Sequence, residues 1–211
     1  MSGCRQGVKK TNIIIATVGK QPEGIVESIK RFPCDKLVLV ADEWSQDKAL
    51  PKVQEAAKAL NLKTEIVNAK PYDVLDIATK MKEVIRANRG NRIILNITGG
   101  TKTMAIAGTL AGMATGDIIE DVIYITEDKQ EVISIPRLPN PEKLLSLEKR
   151  EIVRVISKKG KLTADELHGL IKGQMQVIWK HLRELEEIGY VRSTAEKPRK
   201  YTLTESGWFL A

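Results

Sequence analysis

ILNITGGTKTMAIAGTLAGMATG, residues 94–116, joins a β-branched apolar run to a glycine pair and then to a helical pattern of small residues. A strand ending in Asn96, Ile97 and Thr98 delivers Gly99 and Gly100 at its carboxyl end. A helix starting near Lys102 or Thr103 turns its free N–H groups towards the same point. Such a turn suits an anion: the glycines admit a phosphate close to the backbone, Thr101 adds a hydroxyl and Lys102 a point charge. By itself a glycine pair between strand and helix is also an ordinary tight turn. The stretch lacks the adjacent Gly-Lys pair and the upstream glycine of a Walker A loop. The first turn, ATVGKQPEG at 16–24, lacks the G-x-G-x-x-G of dinucleotide sites, so neither an ATPase nor a nicotinamide or flavin enzyme is indicated.

Outward from that stretch, short apolar runs alternate with longer helical patterns. The runs NIIIAT (12–17), KLVLVA (36–41), KTEIVNA (63–69), RIILNIT (92–98) and DVIYIT (121–126) read as strands buried on both faces of a parallel sheet. Helices are expected over 22–32, opening on Pro22, over 45–60, with Ser45 as cap, and over 72–90, closed by Gly90. Glu131 to Ile135 would add an antiparallel edge strand. The result is an α/β, Rossmann-like doubly wound sheet. In a 3-2-1-4 strand order, strands one and four meet at the switch point where ligands bind. Thr17, Val18, Gly19 and Lys20 would then face Gly99 to Lys102 across one crevice, and the small residues Ala105, Ala107, Gly108, Ala111 and Gly112 favour close packing, including a subunit contact.

The prolines of IPRLPNPEK (135–143) mark a boundary. We expect a sensing domain over 11–136, a linker over 137–145 and a C-terminal module over 146–211, with residues 1–10 as a frayed leader. The chain has 211 residues and a net charge of +7. Residues 1–139 hold 20 basic and 17 acidic side chains, hence +3, and residues 140–211 hold 14 and 10, hence +4, so the module is the more basic part. Cys4 and Cys34 offer no disulfide framework, and no apolar run approaches a membrane span. A soluble, cytoplasmic protein is therefore expected. His168 and His181 have no zinc-like spacing, so neither a metal nor a catalytic role is assigned.

In the module, 147–161, 163–173 and 174–191 read as three helices, followed by two short strands around STAEKPRK (193–200), the layout of a winged helix-turn-helix. Ile178, Leu182 and Leu185 form the buried stripe of the third helix, and Gln176, Lys180 and Arg183 occupy another face with long donors for phosphates and base edges. VIWKHLRELEEIGYV with RKYTLTESG resembles the winged-helix regulators of the MarR, ArsR and PadR type. That resemblance places Gln174, Gln176, Lys180 and His181 towards a major groove and Lys197, Arg199 and Lys200 on the wing. The alternative is a protein-interaction module with Lys180 and Arg183 merely solvated. Trp179 departs from the pattern, where a small polar residue is usual; it either packs on Leu203 or Trp208 or limits entry of the helix into the groove.

NITGGTKTMA (96–105) resembles the signature loop of CARF domains, and with the winged helix the chain resembles archaeal CARF regulators linked to type I and type III CRISPR loci. The resemblance implies a homodimer whose joined crevices take a cyclic oligoadenylate, most often the four-membered ring, with no cofactor. It assigns Thr17, Val18 and Gly19 to one ligand loop and Thr98, Gly99, Gly100, Thr101, Lys102 and Met104 to the other, with Asp42 and Glu43 at the rim near adenine amino groups. The function implied is a ligand-gated regulator that binds promoter DNA. Three alternatives stand beside it: a slow metal-free ring nuclease using Thr17 and Lys102, a sensor of another nucleotide, and a scaffold for CRISPR machinery.

Overall fold

A computed structural model describes residues 10–43, 45, 49–136 and 141–211; Cys4, most of the expected leader and the first part of the expected linker lie outside them. The chain divides into two compact units between residues 139 and 140.

The first unit contains β1 (Asn12–Thr17), α1 (Glu23–Arg31), β2 (Lys36–Ala41), α2 (Ala49–Ala59), β3 (Lys63–Asn68), α3 (Val74–Ala87), β4 (Arg92–Asn96), α4 (Lys102–Ala114), β5 (Asp121–Ile125) and β6 (Val132–Ser134). Its sheet has the order β3-β2-β1-β4-β5-β6, parallel except for β6, which pairs antiparallel with β5 at the edge. β1 is registered against β2 through Ile14 and Leu37 and against β4 through Ile15 and Leu95. Side chains alternate across the sheet, so Ile14, Ala16, Leu37 and Leu39 join α1 and α2 in one apolar layer. On the other face, Gly108 and Gly112 bring α4 down on Ile97, Leu95 and Val122. β1 and β2 are buried along almost their whole length.

β3 departs from the expected uniform burial: its residues are exposed except for Val67, and Ile66 is 41% accessible. The reason is its place at the sheet edge, where among the described strands β2 alone pairs with it. The helix boundaries also carry information. Pro22 occupies the N-cap of α1 rather than its first turn. The Ser45 hydroxyl donates to the Asp42 carbonyl and accepts from the Asp42 N–H, and residues 46–48, which a Ser45 cap of α2 would engage, lie outside the described residues. Gly90, at φ 95°, lies beyond Asn88, the actual C-cap of α3.

The second unit contains α5 (Leu147–Lys159), β7 (Leu162–Thr163), α6 (Ala164–Leu170), α7 (Met175–Ile188), β8 (Val191–Ser193), β9 (Lys200–Leu203) and α8 (Glu205–Leu210). Four helices and a β7-β9-β8 antiparallel sheet share a core that includes Ile152, Val153, Ile156, Leu167, Ile178, Leu182, Leu185, Leu203 and Leu210. Ile178, Leu182 and Leu185 are the stripe expected from their spacing. Thr163 and Glu166 close a reciprocal capping box on α6, with the Glu166 carboxylate held below its usual range chiefly by the Thr163 N–H. Gly189, left-handed at φ 87°, ends α7, and the Thr204 hydroxyl donates to its carbonyl at 2.6 Å.

The tight α4 packing is open to test. A Cβ at Gly108 would lie 2.6 Å from Ile97 Cγ2, inside any normal contact. Gly108→Ala is expected to destabilise the first unit by about 1–3 kcal/mol in urea unfolding, despite the better helix propensity of alanine.

Candidate functional site

The sequence brings five chain segments to the carboxyl side of the sheet, and the site is built from their ends. β1 runs out at Thr17, whose hydroxyl is buried and donates to the Gly99 carbonyl at 2.6 Å. The two glycine turns interlock: a Cβ at Gly19 would strike the Gly100 backbone, and one at Gly99 would strike the Thr17 carbonyl. Only glycine allows the chains after β1 and β4 to approach this closely. Gly100 itself sits at φ 92°, above the Met104 side chain. Thr101 caps α4, its Oγ1 accepting from the Met104 N–H.

Asn96, wholly buried, holds this cradle to its neighbours. Its side-chain amide donates to the Gly24 carbonyl at 3.1 Å, fixing the start of α1, and its Oδ1 accepts from the Thr98 N–H at 2.9 Å. The Thr98 hydroxyl in turn accepts from the Ile125 N–H, tying the turn to β5. The bonds of Thr17 to Gly99, Asn96 to Gly24 and Thr98 to Ile125 thus tie together segments that follow neighbouring strands.

The cradle floors a cavity of about 1140 Å³. Gly19, Lys20, Gln21, Glu23 and Gly24 line it from the first turn, and Thr98, Gly99, Gly100 and Thr101 from the fourth. Asp42 and Ser45 come from the end of β2, Tyr72 from the loop before α3, and Ile125, Thr126, Glu127 and Gln130 from the β5–β6 hairpin. Of the residues expected at the site, Gly19, Asp42, Thr98, Gly99, Gly100 and Thr101 are thus brought together. Thr17, Val18 and Met104 are fully buried beneath the surface. Lys102 is exposed at the first turn of α4 and Glu43 is exposed after β2, both outside the cavity lining.

The hairpin residues and Tyr72 escaped the sequence reading. The signal for the hairpin was its position after the carboxyl end of β5, since ligands of open α/β sheets bind beyond that end of the strands. Tyr72 belongs to a rigid loop: the Asp76 carboxylate accepts from the Lys70 N–H and from the Lys80 ammonium, both at 2.8 Å. Burial pushes the Asp76 carboxyl up, but these donors outweigh it and leave the group below its usual range. Among the described residues no group of three or more His, Cys, Asp and Glu is arranged to hold a metal ion, and no helix is long and apolar enough to cross a membrane.

The second unit presents a separate face on α7. Gln174 is its N-cap, and Gln176, Lys180 and Arg183 are exposed on one side with Trp179 between them. Lys180 and Arg183 each meet a glutamate one turn on, Glu184 at 3.9 Å and Glu187 at 3.3 Å. His181 is turned inward, 3.4 Å from Glu184, which also binds Lys149 of α5 at 2.9 Å; these contacts hold the Glu184 carboxyl below its usual range, Lys149 foremost. Lys197, Arg199 and Lys200 are exposed on the β8–β9 hairpin. Trp179 meets Tyr201 of β9 edge to face, with ring centroids 6.2 Å apart.

Sheet order, crossover pattern and a glycine-lined cavity at the carboxyl ends define a Rossmann-like α/β ligand-binding class of domain. Within that class, residues 12–130 match the family described as HFX_2341_N:-like, N-terminal, and the chain belongs to that family. No curated protein matches the chain. Three solved structures share the fold. Can2 from Sulfobacillus thermosulfidooxidans, determined in complex with cyclic tetra-adenylate, aligns at TM-score 0.50 and 15% identity over 94% of this chain. Protein VC1899 from Vibrio cholerae aligns at 0.51 and 10% over 93%. A type III CRISPR defence DNA nuclease activated by cyclic oligoadenylate aligns at 0.51 and 12% over 85%. The chain spans 61%, 63% and 30% of those proteins respectively.

Two outcomes are expected at the site. Asn96→Ala, which leaves the Gly24 carbonyl without its donor, costs about 1–3 kcal/mol in chemical unfolding. Because the folded Asp76 pKa is lowered, its stabilising contribution is present above the unfolded carboxylate value and is lost as pH falls through the folded one. Asp76→Asn therefore flattens the acid limb of a plot of thermal midpoint against pH, below about pH 4.

Proposed function

We propose that the chain is a ligand-gated transcription regulator whose first unit is a CARF sensor for a cyclic oligoadenylate and whose second is a winged helix-turn-helix that binds promoter DNA. The observation that carries this reading is the interlocked pair of glycine turns flooring a cavity of about 1140 Å³, above the usual 300–1,000 Å³ of small-molecule pockets. Gly99, Gly100 and the first turn of α4 supply backbone donors for a phosphate, Lys20 supplies charge from the lining, and Lys102 adds charge from the exposed side of that first turn, outside the lining. Asp42, Glu23 and Glu127 suit the amino groups of adenine better than a phosphate. Two of the structural relatives carry cyclic oligoadenylate in their descriptions, one as bound ligand and one as activator.

A homodimer completes the site. α4 is apolar around its circumference and leaves Ile106 54% exposed among small residues, a face that a second copy would cover. A two-fold pair matches a four-membered ring, itself two-fold symmetric. Ring binding shifts the balance between two dimer arrangements, and a tenfold change in DNA affinity needs only about 1.4 kcal/mol of differential binding. The target is promoter DNA of CRISPR-linked genes, as for the archaeal regulators that the chain resembles.

Binding rather than cleavage is favoured because the Thr17 hydroxyl is already engaged: it is buried and donates to the Gly99 carbonyl. On the DNA side the ion pairs of Lys180 and Arg183 are solvent-exposed, hence weak and readily exchanged for phosphates. The exposed wing residues Lys197, Arg199 and Lys200 carry the larger electrostatic share.

Calorimetric titration with cyclic tetra-adenylate, beside a linear tetra-adenylate control, is expected to show one ring per two chains, with affinity reduced about tenfold or more in Lys20→Ala and Lys102→Ala. Absence of heat from the ring overturns the sensor reading. Replacing Lys197, Arg199 and Lys200 together by alanine is expected to weaken duplex binding and to lower the slope of log affinity against log salt by about 2–3. An unchanged slope removes the wing from the DNA contact.

A further inference from the structure

We propose that Tyr72 is the base-stacking platform of the cavity, carrying one adenine of the bound ring on its phenol face; this deepens the sensor reading and rests on it. Lys70 to Asp73 form a tight turn closed by the Asp73 N–H on the Lys70 carbonyl at 3.3 Å, with Pro71 second and Tyr72 third. A turn with proline second and positive φ third is of type II, and its third position favours glycine or asparagine. Tyr72 stands there at φ 62°. A bulky side chain in the left-handed region is an outlier that the surroundings must hold in place.

The fold gains little core from it, for Tyr72 is 61% exposed. Tyr72 nevertheless lines the cavity, and it is the one aromatic among the described lining residues. Glycines, hydroxyls, amides, charged groups and Ile125 make up the remainder of the described lining, so among these residues Tyr72 alone offers a base a π-face to lie on. The backbone that presents the ring is fixed on both sides. The Asp76 carboxylate binds the Lys70 N–H, and the Asp73 side chain caps α3 through the Asp76 N–H at 3.0 Å. Turn chemistry that calls for glycine, an exposed aromatic in its place and a rigid mount at the cavity wall together describe a residue kept for a ligand with a flat face.

The test compares the parent chain with Tyr72→Gly, Tyr72→Asn and Tyr72→Phe, titrated calorimetrically with cyclic tetra-adenylate, with thermal midpoints of the ligand-free proteins recorded alongside. Tyr72→Gly and Tyr72→Asn suit the turn, so their midpoints are expected to hold or rise by about 2–4 °C. Their affinity for the ring is expected to fall about tenfold or more, while Tyr72→Phe stays within about twofold of the parent. Ring affinity unchanged in Tyr72→Gly overturns the proposal and leaves the sensor reading intact. A Tyr72→Phe variant as weak as Tyr72→Gly also overturns it, because the hydroxyl and not the ring face is then responsible. A parent that takes up no ring overturns the sensor reading, and the stacking role falls with it.

Discussion

The mutual approach of two backbones, at Thr17 to Gly19 and at Gly99 to Gly100, is the constraint on which the first unit depends. Parallel pairing of β1 with β4 sets these turns side by side, and the absence of two Cβ atoms lets them touch. One hydroxyl, that of Thr17, spans the junction. The cradle bonds of Asn96 and Thr98 then reach outward to α1 and β5, so the floor of the cavity inherits the rigidity of the sheet centre. A phosphate meeting such a floor finds donors already in place, and little ordering has to be paid for on binding.

The sheet was legible in the sequence because its strands obey a simple rule: apolar runs such as Ile13 to Ala16 and Leu37 to Ala41 belong to parallel strands covered on both faces. The two glycine turns were legible for the same kind of reason, since their chemistry is local. What escaped were residues placed by tertiary geometry. Glu127 and Gln130 reach the cavity only because β6 folds back on β5, and Tyr72 only because its turn lies over the carboxyl edge. Thr17 and Met104 read as ligand contacts on motif alone, yet their burial puts them under the wall, where they support it.

In the second unit the helical stripe and both short strands followed from spacing, while β7 and α8 did not. β7 is two residues long and exists through its pairing with Lys200 and Tyr201. α8 depends on Gly207, where a Cβ would strike the Tyr190 carbonyl, and on Thr204 bridging to Gly189. His181 shows the limit of face arithmetic. Its position on the helix is compatible with the outer face, but it meets Glu184, which is itself paired with Lys149 of α5.

The open flank at β3 has a consequence for how the protein behaves at high concentration. An unpaired strand offers N–H and C=O groups to any other extended chain, and Ile66 would add an apolar foothold. Lys63 and Glu65 stand exposed on the same strand, and Glu65 is bonded to Lys36 of the neighbouring strand at 2.6 Å. A chain laid against this flank must bring its own side chains up to fixed charges of both signs. The flank thereby disfavours sheet-to-sheet pairing at an edge that no described strand covers.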